Sequence, residues 1–493
     1  MTPFDGLLHG LLVAVQPLHL GFCLLGVLVG TAVGVLPGLG PAATIALLLP
    51  ATYRLDPVAA AIMLSGIYYG SQYGGSTTAI LVKVPGESSS LVTCYDGHEM
   101  ARRGRAGAAL AIAALASFAA GTLAILGLGL VAPLVGRIAL AFGPAEYAML
   151  MLLGLVLVAR LGQGPVVPAL IMVVLGLMLA TVGQDPVSGL ERHTFGIQEL
   201  IDGIDLVPVF LGMYGVAEVL AQIERREPPP RPVPTGRLWP SREEARAAVP
   251  AAARGGAIGF VLGVLPGGGA TLASIAAYLA EKRFAAGRDR LGQGAVEGVA
   301  APEAANNAAA TSAFVPLLTL GIPANGVMAM ILAALTLHGL RPGPQLVTQQ
   351  PDLFWGVIAS MYVGNLALLV LNLPLVGLFV QLLRLPYAAL GPLILVTCLI
   401  GAFAVTGHAG EAVLAVAFGA LGHGLRKLGF EPTPLVLALV LGRPFEEALR
   451  QALQLARGDA TVFLTKPIAA VLLAAAVLAL VAPLLLKARP RHG

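Results

Sequence analysis

The chain has 493 residues, of which 57% are hydrophobic and only 11% charged, with a mean hydropathy of +0.85. A soluble protein carries about 25% charged residues, so this composition excludes a water-soluble multidomain protein and places the chain in lipid. The formal net charge is +4, but the basic residues sit in short loops between apolar stretches, which is a topology pattern and not a nucleic-acid patch.

In chain order, the apolar start Leu7 to Gly30 lacks a positive flank, since the first cation is Arg54, and reads as a retained segment. Long apolar stretches follow, among them Ala108 to Ala132, Val166 to Val182, Leu353 to Leu383 and Ile468 to Leu486. By a window reading they predict roughly ten to twelve membrane segments. Glu224 to Arg254 is the most polar stretch, rich in Pro and Arg, and predicts a cytoplasmic linker that turns helical over Ser241 to Arg254. Cys23, Cys94 and Cys398 are far apart and imply neither a disulfide framework nor a cysteine zinc site.

The linker divides two stretches that repeat each other. Gly34 to Gly40 reads GVLPGLG and Gly263 to Gly269 reads GVLPGGG; Val82 to Ser88 reads VKVPGES and Leu320 to Gly326 reads LGIPANG. Pro37 and Pro266 are 229 positions apart, and Pro85 and Pro323 are 238 apart. Two motifs recurring in one order at nearly one offset indicate a duplication. The loops after the motifs carry opposite charge bias: Arg54 alone against Lys282, Arg283, Arg288 and Arg290, then Arg102, Arg103 and Arg105 against Arg341 alone. Short basic loops stay in the cytoplasm, so the halves read as inverted-topology repeats. The expected fold is therefore an all-α integral membrane protein with broken-helix or re-entrant hairpins. Residues 1–224 form the first repeat, 225–254 the linker and 255–493 the second repeat.

Proline and glycine interrupt helices, and backbone groups freed in lipid must be covered by protein or face a water-filled cavity. Breaks are expected over Leu36 to Pro41, Tyr73 to Ser90, Leu265 to Thr271 and Ala301 to Asn325, with Gly255 to Ala280 a hairpin turning at Pro266 to Gly269. Exposed amides at half-helix starts suit a carboxylate, and small residues let backbone approach a ligand. The expected substrate site is Gly38, Gly40, Ser76, Thr77, Pro85, Gly86, Ser88, Gly267, Gly268, Thr271, Pro323 and Asn325. Hydroxyls, amides and unwound carbonyls are ligands for a hard cation, which points to Gly74, Gly75, Thr78, Asn306, Asn307, Thr311, Ser312 and Gly321. Taken singly, each Ser or Thr is as well explained by helix packing. Glu87 and Glu303 are candidate proton or cation sites, because an acid at membrane depth is costly without a function. No phosphate loop and no HExxH motif occurs in the sequence.

These residues also carry a resemblance. GVLPGLGP at Gly34 to Pro41, YGSQYGGSTTAILVKVPGESSSLVTCYDGHEMARRGRAG at Tyr69 to Gly107, GVAAPEAANNAAATSAFVPLLTLGIPANG at Gly298 to Gly326 and GLRPGP at Gly339 to Pro344 resemble the TctA family, the large membrane subunit of tripartite tricarboxylate transporters. The resemblance implies a multi-pass permease of the bacterial inner membrane. It implies a small transmembrane subunit and a periplasmic solute-binding protein as partners, a small carboxylate as substrate, sodium or proton as coupling ion and no other cofactor. Lys83, His98 and the Ala324–Asn325 pair depart from the family pattern, which argues against assuming citrate itself. The expected mechanism is an elevator-like movement of the hairpin core. Rival readings are an intramembrane enzyme acting on a lipid-linked substrate, and an ion channel.

Overall fold

Proline starts many of the helices. A proline at the first helical position loses no hydrogen bond and arrives with its φ already helical. Pro3, Pro17, Pro41 and Pro57 open α1 (Pro3–Ala14), α2 (Pro17–Val35), α3 (Pro41–Thr52) and α4 (Pro57–Val82). The computed structural model describes residues 2–36, 40–162, 164–185, 188–225, 232–285, 288–383, 385 and 387–487. After α4 come α5 (Thr93–Met100), α6 (Ala106–Ala139), α7 (Pro144–Leu161) and α8 (Val166–Ala180). A two-residue β-hairpin, Gly183–Gln184 with Glu191–Arg192, leads to α9 (Leu206–Phe210), a wider π-helical turn (Leu211–Val216) and α10 (Ala217–Arg225).

Beyond the linker lie α11 (Arg242–Val264), α12 (Gly269–Phe284), α13 (Glu297–Ser312), α14 (Phe314–Leu320) and α15 (Gly326–Leu337). The chain continues with α16 (Leu346–Gln349), α17 (Pro351–Asn372), α18 (Val376–Leu382), α19 (Tyr387–Thr406), α20 (Ala409–Lys427), α21 (Pro432–Leu455), α22 (Val462–Thr465) and α23 (Pro467–Lys487). Among the described residues six helices are long and apolar enough to cross a membrane: Pro17–Val35, Thr93–Ala139, Pro144–Leu161, Leu206–Glu224, Arg242–Val264 and Pro351–Asn372. Shorter apolar helices, such as Pro41–Thr52 and Gly326–Leu337, accompany them.

Two close-packed helix pairs organise the interior. Gly26, Gly30 and Gly34 on α2 lie against the carbonyl oxygens of Met63, Ile67 and Ser71 on α4. Gly255, Gly259 and Gly263 on α11 lie against those of Ala301, Ala305 and Ala309 on α13. A β-carbon at any of the six would overlap the facing backbone, so only glycine permits the approach. The glycine rows are 229 positions apart and the facing rows 238 apart, the same intervals that separate the prolines. Helix α6, 34 residues and so roughly 50 Å long, runs alongside both pairs. Helices α7, α8, α21 and α23 pack together, and α3 packs with α19 and the π-helical turn.

The linker helix begins where the sequence places it. Ser241 caps α11, accepting from the amide of Glu244, whose side chain accepts from the Ser241 amide in return. The same helix runs through position 255, so the expected linker boundary at 254 falls inside α11. Arg254 bonds Glu281 at 2.8 and 2.7 Å, tying α11 to α12 across the turn at Pro266 to Gly269 as an antiparallel hairpin.

Two expected breaks shrink. Helix α4 continues through Gly74 and Gly75, and interruption is confined to Lys83–Glu87. Helix α13 contains Pro302 without ending there; the chain is interrupted at Ala313, between α13 and α14, and again over Gly321–Asn325. The physical reason is close packing: Gly74 lies against the Thr31 carbonyl and Gly75 against Glu87, so these glycines admit neighbours and do not end the helix. Leu353 to Leu383, expected as one stretch, is divided into α17 and α18.

Candidate functional site

The two interruptions share a backbone form. Lys83 ends α4 with φ +60°, and Gly321, its counterpart 238 positions on, ends α14 with φ +69°. A left-handed residue reverses the chain at a helix end, and the following Pro85 or Pro323 prevents helical continuation. Each loop then turns inward. The Gly86 amide reaches the Gly75 carbonyl at 3.4 Å, and Gly267 donates to the Ala324 carbonyl at 2.8 Å, joining the α11–α12 turn to the second loop.

The loops of both halves meet around one cavity of about 440 Å³. Gly40 and Pro41 at the start of α3, and Gly86 to Ser89, come from the first half; Gly267 to Leu272, and Ala324 to Val327, come from the second. Two side-chain contacts bridge the halves at its rim: Ser88 Oγ to Thr271 Oγ1 at 3.0 Å, and Asn325 Nδ2 donating to Tyr68 Oη at 3.0 Å. The rest of the lining is Val158, Leu161 and Gly162 of α7, Tyr214 of the π-helical turn, Glu218 of α10, and Glu431, Thr433, Pro434 and Leu437 at the start of α21.

No Lys, Arg or His among the described residues lines this cavity, whereas Glu87, Glu218 and Glu431 do. Glu218 is neutralised by Arg426 at 2.7 Å, and Glu431 accepts from Thr433 at 3.1 Å. Glu87 keeps a buried oxygen without a hydrogen-bond partner. Positive potential comes instead from helix starts, for α3 and α12 begin at Gly40 and Gly268, which line the cavity, and no side chain caps their first turns. The lining hydroxyls of Tyr68, Ser88, Tyr214 and Thr271 add donors and acceptors. This arrangement can hold a small carboxylate against backbone amides and seat a cation near Glu87.

This chain is homologous, over residues 20–437, to the tripartite tricarboxylate transporter TctA family. The chain belongs to the TctA family. It is thus a component of a tripartite transporter with partner subunits, a multi-pass membrane protein and not an enzyme. Among its relatives, an uncharacterized 52.8 kDa protein in the TAR-I ttuC' 3' region of Agrobacterium vitis is 51% identical over 495 residues, covering 100% of this chain and 98% of the relative. An uncharacterized protein in the TAR-II ttuC' 3' region of the same organism is 50% identical over 234 residues, covering 48% of this chain and 97% of the relative. No solved structure matches the chain.

Of the substrate residues expected in this TctA-family chain, Gly40, Gly86, Ser88, Gly267, Gly268, Thr271 and Asn325 line the cavity, and Pro85 and Pro323 flank it in sequence. Gly38 lies outside the described residues. Ser76 and Thr77 lie elsewhere, beside a void of about 10 Å³ shared with Tyr73, Ser117 and Asn372.

None of the expected cation ligands lines the cavity. Thr78 donates to the Val35 carbonyl at 2.7 Å, Thr311 to the Asn307 carbonyl at 3.0 Å and Ser312 to the Ala309 carbonyl at 3.4 Å. Asn307 donates to Ser117 Oγ at 2.7 Å. Asn306 is fully buried beside the Glu303 carboxylate, and neither of its polar atoms completes a hydrogen bond. Gly74, Gly75 and Gly321 serve close packing and chain reversal. Of the two acids, Glu87 faces the cavity and Glu303 is buried between the halves, in contact with Ser76 and Thr93.

Sequence reasoning noted Gln72 as a polar residue of the first break without assigning it to the site, and missed Tyr68, Ser89, Tyr214, Glu218, Glu431 and Thr433. Gln72 and Tyr68 lie about one and two turns N-terminal to Ser76 of the GGSTT run, on a helix expected to approach the site, and that spacing was a usable signal. Tyr214 reaches the cavity from a π-helical turn, which has no sequence signature.

Proposed function

We propose that this chain is the permease subunit that takes up a small carboxylate across the bacterial inner membrane, driven by an ion gradient. It works with a small transmembrane subunit and a periplasmic solute-binding protein. The observation that carries the reading is the cavity itself: interruptions from both halves supply uncapped helix starts, small hydroxyls and one unpartnered carboxylate oxygen to a single open cavity. Amides bind the anion, Glu87 and neighbouring oxygens favour a cation, and neither ion binds well alone.

Two inverted-topology repeats underlie this cavity. Supporting that reading are the glycine rows and their facing carbonyls at the intervals of the prolines, and the left-handed residues at Lys83 and Gly321. The make-up of the cavity lining supports an elevator-like movement of the hairpin core. One part is built from the motif loops, the rest from α7, α10 and α21, and substrate held at this seam changes sides when the first body slides along the second.

The test is uptake by proteoliposomes holding the membrane subunits, with the binding protein and labelled citrate supplied outside and an ion gradient imposed. Uptake is expected to saturate and to need the gradient. Thr271→Val and Asn325→Ala should each lower it by about tenfold through lost hydrogen bonds. A flux that neither saturates nor depends on the gradient would identify a channel and sink the proposal.

A further inference from the structure

A second polar cluster lies between the halves, behind the cavity. At its centre is Glu303 on α13, 1% exposed. Thr93 of α5 donates to its Oε1 at 2.5 Å, and Ser76 Oγ of α4 touches its Oε2. Ser76 Oγ also lies 3.0 Å from the Gln72 carbonyl. A serine hydroxyl has one hydrogen. With Glu303 ionised, Ser76 would face two acceptors and satisfy one of them. With a proton on Oε2, the carboxyl donates to Ser76 and Ser76 donates to Gln72, so every contact is a hydrogen bond.

The surroundings agree with a neutral acid. No Lys, Arg or His among the described residues pairs with Glu303, and a buried carboxylate without a countercharge is strongly disfavoured. On the elements packed against α13, Tyr73 of α4 and Cys94 of α5 interact with Glu303, and neither is a cation. Lys83, the exposed residue that ends α4, acts on Cys94 but forms no ion pair with Glu303, and the other charged groups are engaged elsewhere. Asp96 takes Tyr278 and the amides of Gly292, Gly294 and Ala295; His98 faces the Ile80 carbonyl; Glu99 pairs with Arg103. Arg105 pairs with Glu244, Arg254 with Glu281, and Glu297 lies 3.9 Å from Arg290. Glu87 faces the cavity.

The cluster also has little room for a metal ion. The neighbouring void, about 10 Å³, is the size of a single water, whereas a hard cation gathers about six oxygens. Asn306 is fully buried and its side chain interacts with the Glu303 carboxyl without a well-formed hydrogen bond. Beside the carboxylate, its amide is a donor held in reserve for the ionised form.

We propose that Glu303 is the proton-binding site that couples uptake to a proton gradient, separate from the substrate cavity, with Asn306 donating to Glu303 once the proton has left. Loading forms the Oε2–H bond with a proton from water on one side of the membrane. Release breaks that bond to water on the other side. Because Ser76, Thr93 and Glu303 come from α4, α5 and α13, proton loss alters the contact between the halves. Gln72 links it to the cavity, which it lines together with Ser89, its hydrogen-bond partner at 2.8 Å. The proposal rests on the permease reading above.

The direct test needs no substrate. Infrared difference spectra between the purified full-length wild type and Glu303→Gln are expected to show a protonated carboxyl C=O band at neutral pH, present without sodium and unmoved by it. Carboxylate bands alone, or a carboxyl band abolished by sodium, overturn the proposal. Should Glu303→Gln fail to fold, Ser76→Ala provides the second measurement: removing one partner must shift the same band, and an unshifted spectrum counts against it. In proteoliposomes with the partner subunits, the binding protein and labelled citrate, Glu303→Gln should abolish accumulation driven by a pH gradient. Accumulation persisting in that variant, or driven in the wild type by sodium alone, refutes proton coupling. A wild-type complex that accumulates none of a panel of labelled di- and tricarboxylates under any gradient refutes the permease reading, while the spectra still decide the protonation of Glu303.

Discussion

The loops after α4 and α14 are built on one plan and finished differently. Both leave a helix through a left-handed residue, pass a proline two positions later and reach the cavity with a polar side chain, Glu87 in the first and Asn325 in the second. The first then makes a short 3-10 turn, Ser88–Ser90, before α5. The second enters α15 at once, with the Asn325 side chain capping it through the Met328 amide at 3.0 Å. The shared part gives the fold its reversal, and the part that differs gives the cavity an acid on one side and an amide on the other. The two loops share a geometry and differ in chemistry, which suits the proposed joint site for an anion and a cation.

The comparison is broken most severely at the glycine rows. Gly259→Val and its counterpart Gly30→Val should each cost about 3 kcal/mol or prevent folding, because the new side chain meets backbone and not a flexible side chain. The measurement is the fraction surviving heating in detergent; a harmless change at one position and a severe one at the other would show that the two pairs are not equivalent. Exchanging the left-handed residues has an intermediate effect of opposite signs. Gly321→Ala should destabilise by about 1–2 kcal/mol, and Lys83→Gly should stabilise by up to about 1 kcal/mol, read as shifts in melting temperature. The smallest expected effect is at the rim. Ser88→Ala and Thr271→Ala remove the same bridge from its two ends, so each should change stability by less than about 1 kcal/mol, and the double variant should be no worse than the single ones.

The sequence announced the matched intervals because prolines and glycines have positional requirements that a single chain exposes. Pro37, Pro85, Pro266 and Pro323 set the intervals, and Gly26 and Gly255, with those following them, obey the same intervals. What a glycine is for was less legible. Gly74 and Gly75 read as a break but pack helices, because a residue that permits irregular backbone also permits close approach, and only the neighbouring helix decides between them. The cavity was legible where loops form it, at Gly86, Ser88, Gly267 and Thr271, and illegible where α10 and α21 form it, since Glu218 and Glu431 reach it through tertiary packing alone. Asn306 and Asn307 drew notice as adjacent buried amides, and the structure divides them, Asn307 bonded to Ser117 and Asn306 unbonded beside Glu303.

The central claim is that both halves hold one substrate between them, and thiol labelling tests it most directly. Cys23, Cys94 and Cys398 are buried, so a cysteine introduced at Ser88 or at Thr271 becomes the reactive thiol of the described chain. With citrate as the probe, both positions should be protected from a maleimide over the same concentration range, although they belong to different halves. Protection of one position alone, or labelling of both at an unchanged rate in saturating citrate that the same preparation transports, would contradict a shared site.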